Sequence, residues 1–257
     1  MTKQIWTGTA WITGAGTGIG RALALALAAR GMTVAASART EADLASLSAE
    51  AAAGPGRIIP IRLDVTDEAA VQAAVDRIEA EAGPIALAIL NAGTHSEVSA
   101  QKFDTVEFTR VIDTNLMGAV YCLGALLPVM RERGSGRIAV VSSVAGYRGL
   151  PTSGAYSASK AALIALTEAL KPELEGEGVE MTLINPGFVD TPLTRRNTFP
   201  MPFMIDTDEA VRSIIKGLER DRFEIVFPWQ MSILMKLLGI LPYAPFFAIT
   251  RRMVRRL

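Results

Sequence analysis

The stretch AYSASK, residues 155–160, sets a phenol and an ammonium four residues apart. On a helix, Tyr156 and Lys160 would stack on one face. A structural pair at this spacing is usually Glu with Lys; a Tyr with a Lys, among Ala155, Ser157 and Ala158, suits proton transfer. Free tyrosine titrates at about 10, too high for an efficient base near neutrality. A cation one turn away favours the phenolate and lowers that value. Taken alone, the pair also fits an ordinary amphipathic helix, so the elements that would hold it decide between the two.

Strand and helix patterns alternate along the chain. Strands are expected at 9–13, 33–37, 57–65, 86–90, 137–143, 179–185 and 223–227. Pro60 weakens the third of these, because proline cannot donate to a ladder. Helices are expected at 18–31, 41–53, 67–83, across a long region 104–133, from the Tyr156 segment to about 176, and at 207–220. Apolar strands separated by helices indicate a parallel sheet covered on both faces. The fold class is therefore α/β, a doubly wound parallel sheet in one domain over residues 1–228, with a C-terminal extension over 229–257.

The 257 residues are half apolar and carry 26 basic and 26 acidic side chains, a balance that argues against nucleic-acid binding. The N-terminus lacks the apolar run of a signal peptide. One cysteine, Cys122, permits no disulfide within the chain and reads as buried filler. These features suit a cytoplasmic protein. No His, Cys and carboxylate cluster suggests a metal.

TGAGTGIG, residues 13–20, lies between the first strand and first helix. Glycines there let the backbone approach a pyrophosphate, and the helix N-terminus favours its charge. The spacing is Gly14-x-x-x-Gly18-x-Gly20, with Ile19 where the common dinucleotide fingerprint has its third glycine. The alternative is a tight turn with nothing bound. The second strand ends Ser37-Ala38-Arg39-Thr40, without the acid that would accept from a ribose 2′-hydroxyl. Arg39 is shaped for a 2′-phosphate, which favours NADP(H) over NAD(H); the other reading is a surface arginine opening the next helix.

With these residues the chain resembles the short-chain dehydrogenase/reductase family. The likeness runs over about residues 8–228 through Thr13-Gly14-x-x-x-Gly18-Ile19-Gly20, Asp64-Val65, Asn91-Ala92-Gly93, Asn115, Ser142-Ser143, Tyr156-x-x-x-Lys160 and Pro186-Gly187. It implies a seven-stranded Rossmann sheet, a nicotinamide cofactor, and a catalytic set of Asn115, Ser143, Tyr156 and Lys160. Ser143 is selected over Ser142 because the family serine stands thirteen residues before the tyrosine. Tyr156 would be the acid or base, Ser143 would bind the substrate oxygen, and Asn115 would hold a water linking Lys160 to solvent. Cofactor contacts are implied for Gly14, Thr17, Gly18, Ile19, Gly20, Ser37 and Arg39. Asp64 and Val65 would flank the adenine, Asn91, Ala92 and Gly93 would line the cofactor, and Tyr156 and Lys160 would meet it. Pro186, Gly187, Val189 and Thr191 would reach the nicotinamide amide. The family's habit also implies a homodimer or homotetramer, through 104–133 and the Tyr156 helix.

The substrate pocket is expected from Ser143, Tyr147, Leu150, Phe188, Phe199 and Phe203, with 191–206 as a lid or else a solvent loop, and Arg195 and Arg196 free to meet an anion. Apolar walls favour a hydrophobic ketone or alcohol. His95 is expected at the rim or surface. In the tail, Ile233, Leu234, Leu237, Leu238 and Leu241 are helix-spaced, and Phe246, Phe247, Arg251, Arg252, Arg255 and Arg256 follow. The tail would pack on a neighbouring subunit or over the pocket, or else lie in a membrane interface. The sequence thus points to an NADP-dependent oxidoreductase interconverting a secondary alcohol and a ketone. The alternatives are a membrane-associated reductase of a lipid or oxoacyl ketone, a C=C reductase or an epimerase-like activity on the same fold, and a non-catalytic NADP-binding module.

Overall fold

A computed structural model describes residues 8–197 and 199–254. Seven strands form one parallel sheet: β1 (Thr9–Thr13), β2 (Thr33–Ala38), β3 (Arg57–Arg62), β4 (Ile85–Leu90), β5 (Gly136–Val141), β6 (Val179–Pro186) and β7 (Glu224–Phe227). Their order is β3-β2-β1-β4-β5-β6-β7. The helices are α1 (Gly18–Ala28), α2 (Glu41–Ala51), α3 (Glu68–Ala82), α4 (Thr105–Ile112), α5 (Gly118–Arg133), α6 (Gly154–Leu174), α7 (Thr207–Glu219), α8 (Trp229–Ile240) and α9 (Tyr243–Val254).

All five residues of β1 are buried, so it shows no alternation of polar and apolar residues; both its faces are covered. Ala10 and Ile12 pack with Leu23, Leu27, Leu44 and Ile214, beneath α1, α2 and α7. Trp11 points to the other side, among Val75, Leu126 and Leu163 from α3, α5 and α6. Asp67, Asp104 and Asp206 cap α3, α4 and α7 by accepting backbone N–H bonds in the first turn.

Three elements differ from expectation. β3 stops at Arg62, and Leu63 to Val65 leave the sheet; Pro60 is tolerated because β3 is an edge strand. The region 104–133 is not one α-helix, since a π-helical turn over Asp113–Met117 divides α4 from α5. The tail forms two helices broken at Leu241 and Pro242; the residue before a proline is disfavoured in the α region, and Leu241 is extended. Met231 and Met235 of α8 pack against Val144, with Tyr147, Leu150 and Phe188 beside them. The inner face of α8 therefore covers the side of the sheet where the Ser143 loop lies.

Candidate active site

β1 pairs with both β2 and β4, so the chain reverses its winding direction between β1 and β4. In an open α/β sheet a crevice forms beyond the strand ends at such a point. Here it is a cleft of about 320 Å³. Its wall approaches closely enough to require glycine. At Gly14 φ is +66°, and a Cβ would lie 2.8 Å from Ala92 Cα. At Gly20 a Cβ would lie 2.4 Å from the Gly14 carbonyl oxygen. Asn91 closes the joint by donating from Nδ2 to the carbonyls of Thr13 (3.0 Å) and Gly14 (3.1 Å). Thr13 Oγ1 in turn accepts from the backbone N–H groups of Asn91 and Ala92. The first turn of α1 opens into this cleft and presents unpaired N–H groups to it.

Of the expected cofactor residues, Gly14, Thr17, Gly18, Ile19, Arg39, Asp64, Val65, Asn91, Ala92, Gly93 and Thr191 line the cleft. Ser37 does not. It is 1% exposed, and its hydroxyl accepts from Trp11 Nε1 at 2.9 Å inside the core. Gly20 serves packing of the turn. Val189 is buried in the core, and Gly187 N–H is spent on the Phe227 carbonyl. Pro186 offers its carbonyl to the Ser143 hydroxyl at 3.2 Å. The sequence reading missed Gly16, Asp43 and Thr114 in the cleft wall, and it named Leu193 and Arg196 only as part of the 191–206 segment, with Arg196 free to meet an anion. Asp43 matters most among them. A Cβ on Gly16 would lie 3.3 Å from Asp43 Oδ2, so the first turn of α2 brings a carboxylate to the cleft near Arg39. Its signal was its place in the first turn of α2, four residues after Arg39.

Ser143, Tyr156 and Lys160 converge at the far end. The Ser143 hydroxyl, which donates to the Pro186 carbonyl at 3.2 Å, lies close enough to the Tyr156 phenol to favour its ionised form. Its neighbour Ser142 donates instead to the Lys160 carbonyl at 2.7 Å, which ties β5 to α6. Lys160 is 3% exposed, and its ammonium donates to the Val141 carbonyl at 2.9 Å. A Cβ on Gly93 would lie 3.6 Å from Lys160 Nζ, so the cleft meets the ammonium at that glycine. Burial pulls the Lys160 pKa down from 10.5 to about 8. Burial pushes the Tyr156 phenol above its ordinary value, and the neighbouring Ser143 hydroxyl pulls it part of the way back. The expected lowering of Tyr156 by Lys160 is not what this geometry gives. The ammonium lies 5.6 Å from the ring centre and is turned to Val141.

Asn115 sits in the π-helical turn, 1% exposed. Its Oδ1 accepts from Thr94 N–H at 2.7 Å, and Nδ2 donates to the Thr94 carbonyl and to Ser159 Oγ, both at 3.0 Å. The side-chain amide is thus occupied in joining the loop after β4 to α6, with Oδ1 3.4 Å from a Cβ position on Gly93. His95 lies at the rim, partly buried, against the Tyr156 ring.

Beyond Ser143, Val144, Tyr147, Leu150 and Phe188 form an apolar wall with Met231 and Met235 of α8. Phe199 reaches Phe188 with ring centres 6.0 Å apart. Tyr147 contributes its ring only, because its hydroxyl is bonded to Glu224 and accepts from Asn185 Nδ2. Phe203 stands outside this wall. It is 49% exposed, at φ +58°, in the turn that leads Ile205 back to pair with Val189. Arg195 is spent on Asp190 at 2.7 Å, whereas Arg196 lines the cofactor cleft. No group of His, Cys and carboxylates that could hold a metal occurs among the described residues.

Residues 8–200 match the family model for short chain dehydrogenase. An uncharacterised oxidoreductase of Myxococcus xanthus is 43% identical over 95% of this chain and 97% of its own. A short-chain dehydrogenase/reductase of Burkholderia phymatum, solved with NAD, superposes with a TM-score of 0.83 at 26% identity, over 90% of this chain and 92% of that one. A short-chain dehydrogenase of Burkholderia cenocepacia, solved with NADP, gives 0.80 at 29% identity, over 92% and 94%. The chain belongs to the short-chain dehydrogenase/reductase family. It is an NAD(P)-dependent oxidoreductase of the CH–OH class. The cleft fits that cofactor, with a glycine cradle and a helix N-terminus for a pyrophosphate and a buried ammonium beside Gly93 for hydroxyl groups.

Proposed function

We propose that this protein interconverts a hydrophobic secondary alcohol and its ketone, with NADP(H) preferred. The observation that carries the reading is the convergence of the Ser143 hydroxyl, the Tyr156 phenol and the buried Lys160 ammonium at one end of the cleft. A bound nicotinamide would supply or accept the hydride. Tyr156, held as a phenol by burial, would donate its proton to the ketone oxygen. Ser143 would bind the same oxygen as charge develops there. Lys160 would supply positive charge one turn below Tyr156 and restore its proton, while Asn115 positions the Thr94 loop and α6 around them.

The preference for NADP(H) rests on Arg39, which is exposed at the cleft and lacks an ion-pair partner among the described residues. Asp43 opposes it and would limit the preference. The Met231 and Met235 wall supports an apolar substrate, and a lipid or oxoacyl ketone is a second reading that the same wall favours. Homodimers or homotetramers would form through α4, α5 and α6, with Phe103 and Val106 exposed on or beside α4.

The test is titration with NADPH and NADH, followed by turnover of aryl and long-chain ketones. Tighter NADPH binding with turnover supports the proposal, and the better ketone class separates its two substrate readings. Tight cofactor binding without turnover of any ketone would sink it. Sedimentation at micromolar concentration checks the assembly.

A further inference from the structure

Helix α8 is apolar on two sides. Met231 and Met235 face the pocket wall. On the opposite side Trp229, Ile233, Leu237 and Ile240 recur at helical spacing and are 68%, 52%, 55% and 78% exposed. α9 adds exposed apolar side chains of its own, Tyr243 and Phe247, whose rings stack at 5.6 Å, with Ile249, Met253 and Val254. Scattered apolar side chains on a surface are ordinary; four at helical spacing on one face of α8, followed by more on the next helix, mark a contact surface.

Charge indicates what covers it. Residues 229–257 contain Lys236 and four arginines, Arg251, Arg252, Arg255 and Arg256, and no Asp or Glu; Lys236 is paired with Glu224 of β7, so the uncompensated charge is that of the arginines. Arg251 and Arg252 are exposed in the last turn of α9, Arg251 one turn beyond the exposed Phe247. A second copy meeting this face about a two-fold axis would set arginines against arginines with no carboxylate of the tail to neutralise them. An anionic lipid surface supplies both an apolar layer and the opposite charge. The two helices have 12 residues each, separated by Pro242, and a helix of that length rises only about 18 Å against a hydrocarbon core of about 30 Å. They are built to lie on a bilayer rather than cross it.

The break between the helices is held from the active-site side. Arg148 donates to the carbonyls of Gly239 (3.2 Å) and Leu241 (3.3 Å) and stacks its guanidinium over Tyr243 and Phe246, 4.8 and 4.5 Å from the ring centres. We propose that the outer face of α8 and α9 docks on anionic membrane surfaces. One helix would then separate lipid from the apolar wall beside Ser143. That last consequence rests on the ketone reading above; the docking itself does not.

The test is co-sedimentation of the full chain with vesicles of phosphatidylcholine alone and of phosphatidylcholine mixed with phosphatidylglycerol. NADPH affinity and melting temperature are measured on the same samples. Two variants change exposed side chains only: Ile233→Asp with Leu237→Asp, and Arg251→Glu with Arg252→Glu. The expected result is at least ~10-fold stronger partition to anionic than to neutral vesicles, weakened by salt and lost in both variants. NADPH affinity and melting temperature should stay unchanged in both. Absence of the wild-type chain from the anionic vesicle pellet would overturn the proposal. So would equal partition of wild type and variants, or variants that turn a dimer into a monomer yet still bind vesicles. Because cofactor affinity is read alongside, a failed docking is distinguishable from a failed reading of the active site.

Discussion

The rings of His95 and Tyr156 meet in a T, with centres 5.2 Å apart and planes at 79°. Burial holds the imidazole below its ordinary 6.5, with Glu97 pulling weakly the other way, so His95 is neutral at pH 7. It packs and orients the phenol. His95→Phe should keep turnover within about 3-fold and His95→Ala should lose about 3–10-fold, the worth of one aromatic pair. Profiles of wild type and His95→Phe should superimpose from about pH 6.5 to 7.5; a limb present only in the wild type would give the imidazole a proton-transfer role.

Adjacent serines should separate chemistry from support. Tyr156→Phe should cut kcat by about 10³-fold and Ser143→Ala by about 10²-fold, with NADPH affinity kept. Ser142→Ala removes a buried hydrogen bond to the Lys160 carbonyl and should cost about 1 kcal/mol of stability, read by denaturant unfolding. A larger kcat loss at Ser142 than at Ser143 would reverse the assignment.

Lys160 makes stability depend on pH. Folded, its ammonium loses its proton near pH 8; unfolded, it does so near the ordinary 10.5. Between those values the unfolded chain holds more protons, so stability rises with pH there, and below 8 the full burial cost is present. Measured without cofactor, wild type should gain on Lys160→Met between pH 8 and 10.5 by up to roughly 3 kcal/mol. Ketone reduction should fall as pH rises through about 8, where the charge beneath Tyr156 is lost. A wild-type minus variant difference that is flat with pH would show that Lys160 keeps its ordinary affinity for protons.

Cofactor choice should turn on two side chains at one edge of the cleft. Arg39→Ala should weaken NADPH about 10–100-fold and leave NADH nearly unchanged, since a guanidinium held to a phosphate contributes about 1.5–3 kcal/mol. Asp43→Ala should strengthen NADPH by removing a like charge. Isothermal titration reads both, and an equal loss of the two cofactors in Arg39→Ala would assign Arg39 to the surface.

What the sequence disclosed follows from how local each feature is. Glycine spacing, the Tyr–Lys pair and the strand rhythm are short-range, and they placed Gly14, Gly18, Tyr156 and Lys160 where the structure has them. Ser37 failed because a hydroxyl at a strand end can face either side of the sheet, and Trp11 lies on the side it took. Asp43 was missed because its place four residues after Arg39 is a weak signal, and its approach to Gly16 depends on how α2 packs over β2. The π-helical turn around Asn115 is entered and left with right-handed helical dihedrals and without a Gly or Pro break inside it, so periodicity ran through it. The break in the tail was written in Pro242, though an i, i+4 count from Ile233 carried the helix one residue too far, to Leu241.

Both margins of the sheet are blunt. At one, β3 ends the order and carries Pro60, which has no N–H to offer, between exposed arginines at 57 and 62. At the other, β7 has four residues before the chain turns into α8. Neither margin can template a further strand, the route by which flat sheets polymerise. A long unpaired β edge is the usual reason a parallel α/β protein is lost to aggregates during expression. The apolar face of α8 and α9 is a separate hazard, one that detergent or lipid can shield and that Asp substitutions should relieve by raising soluble yield.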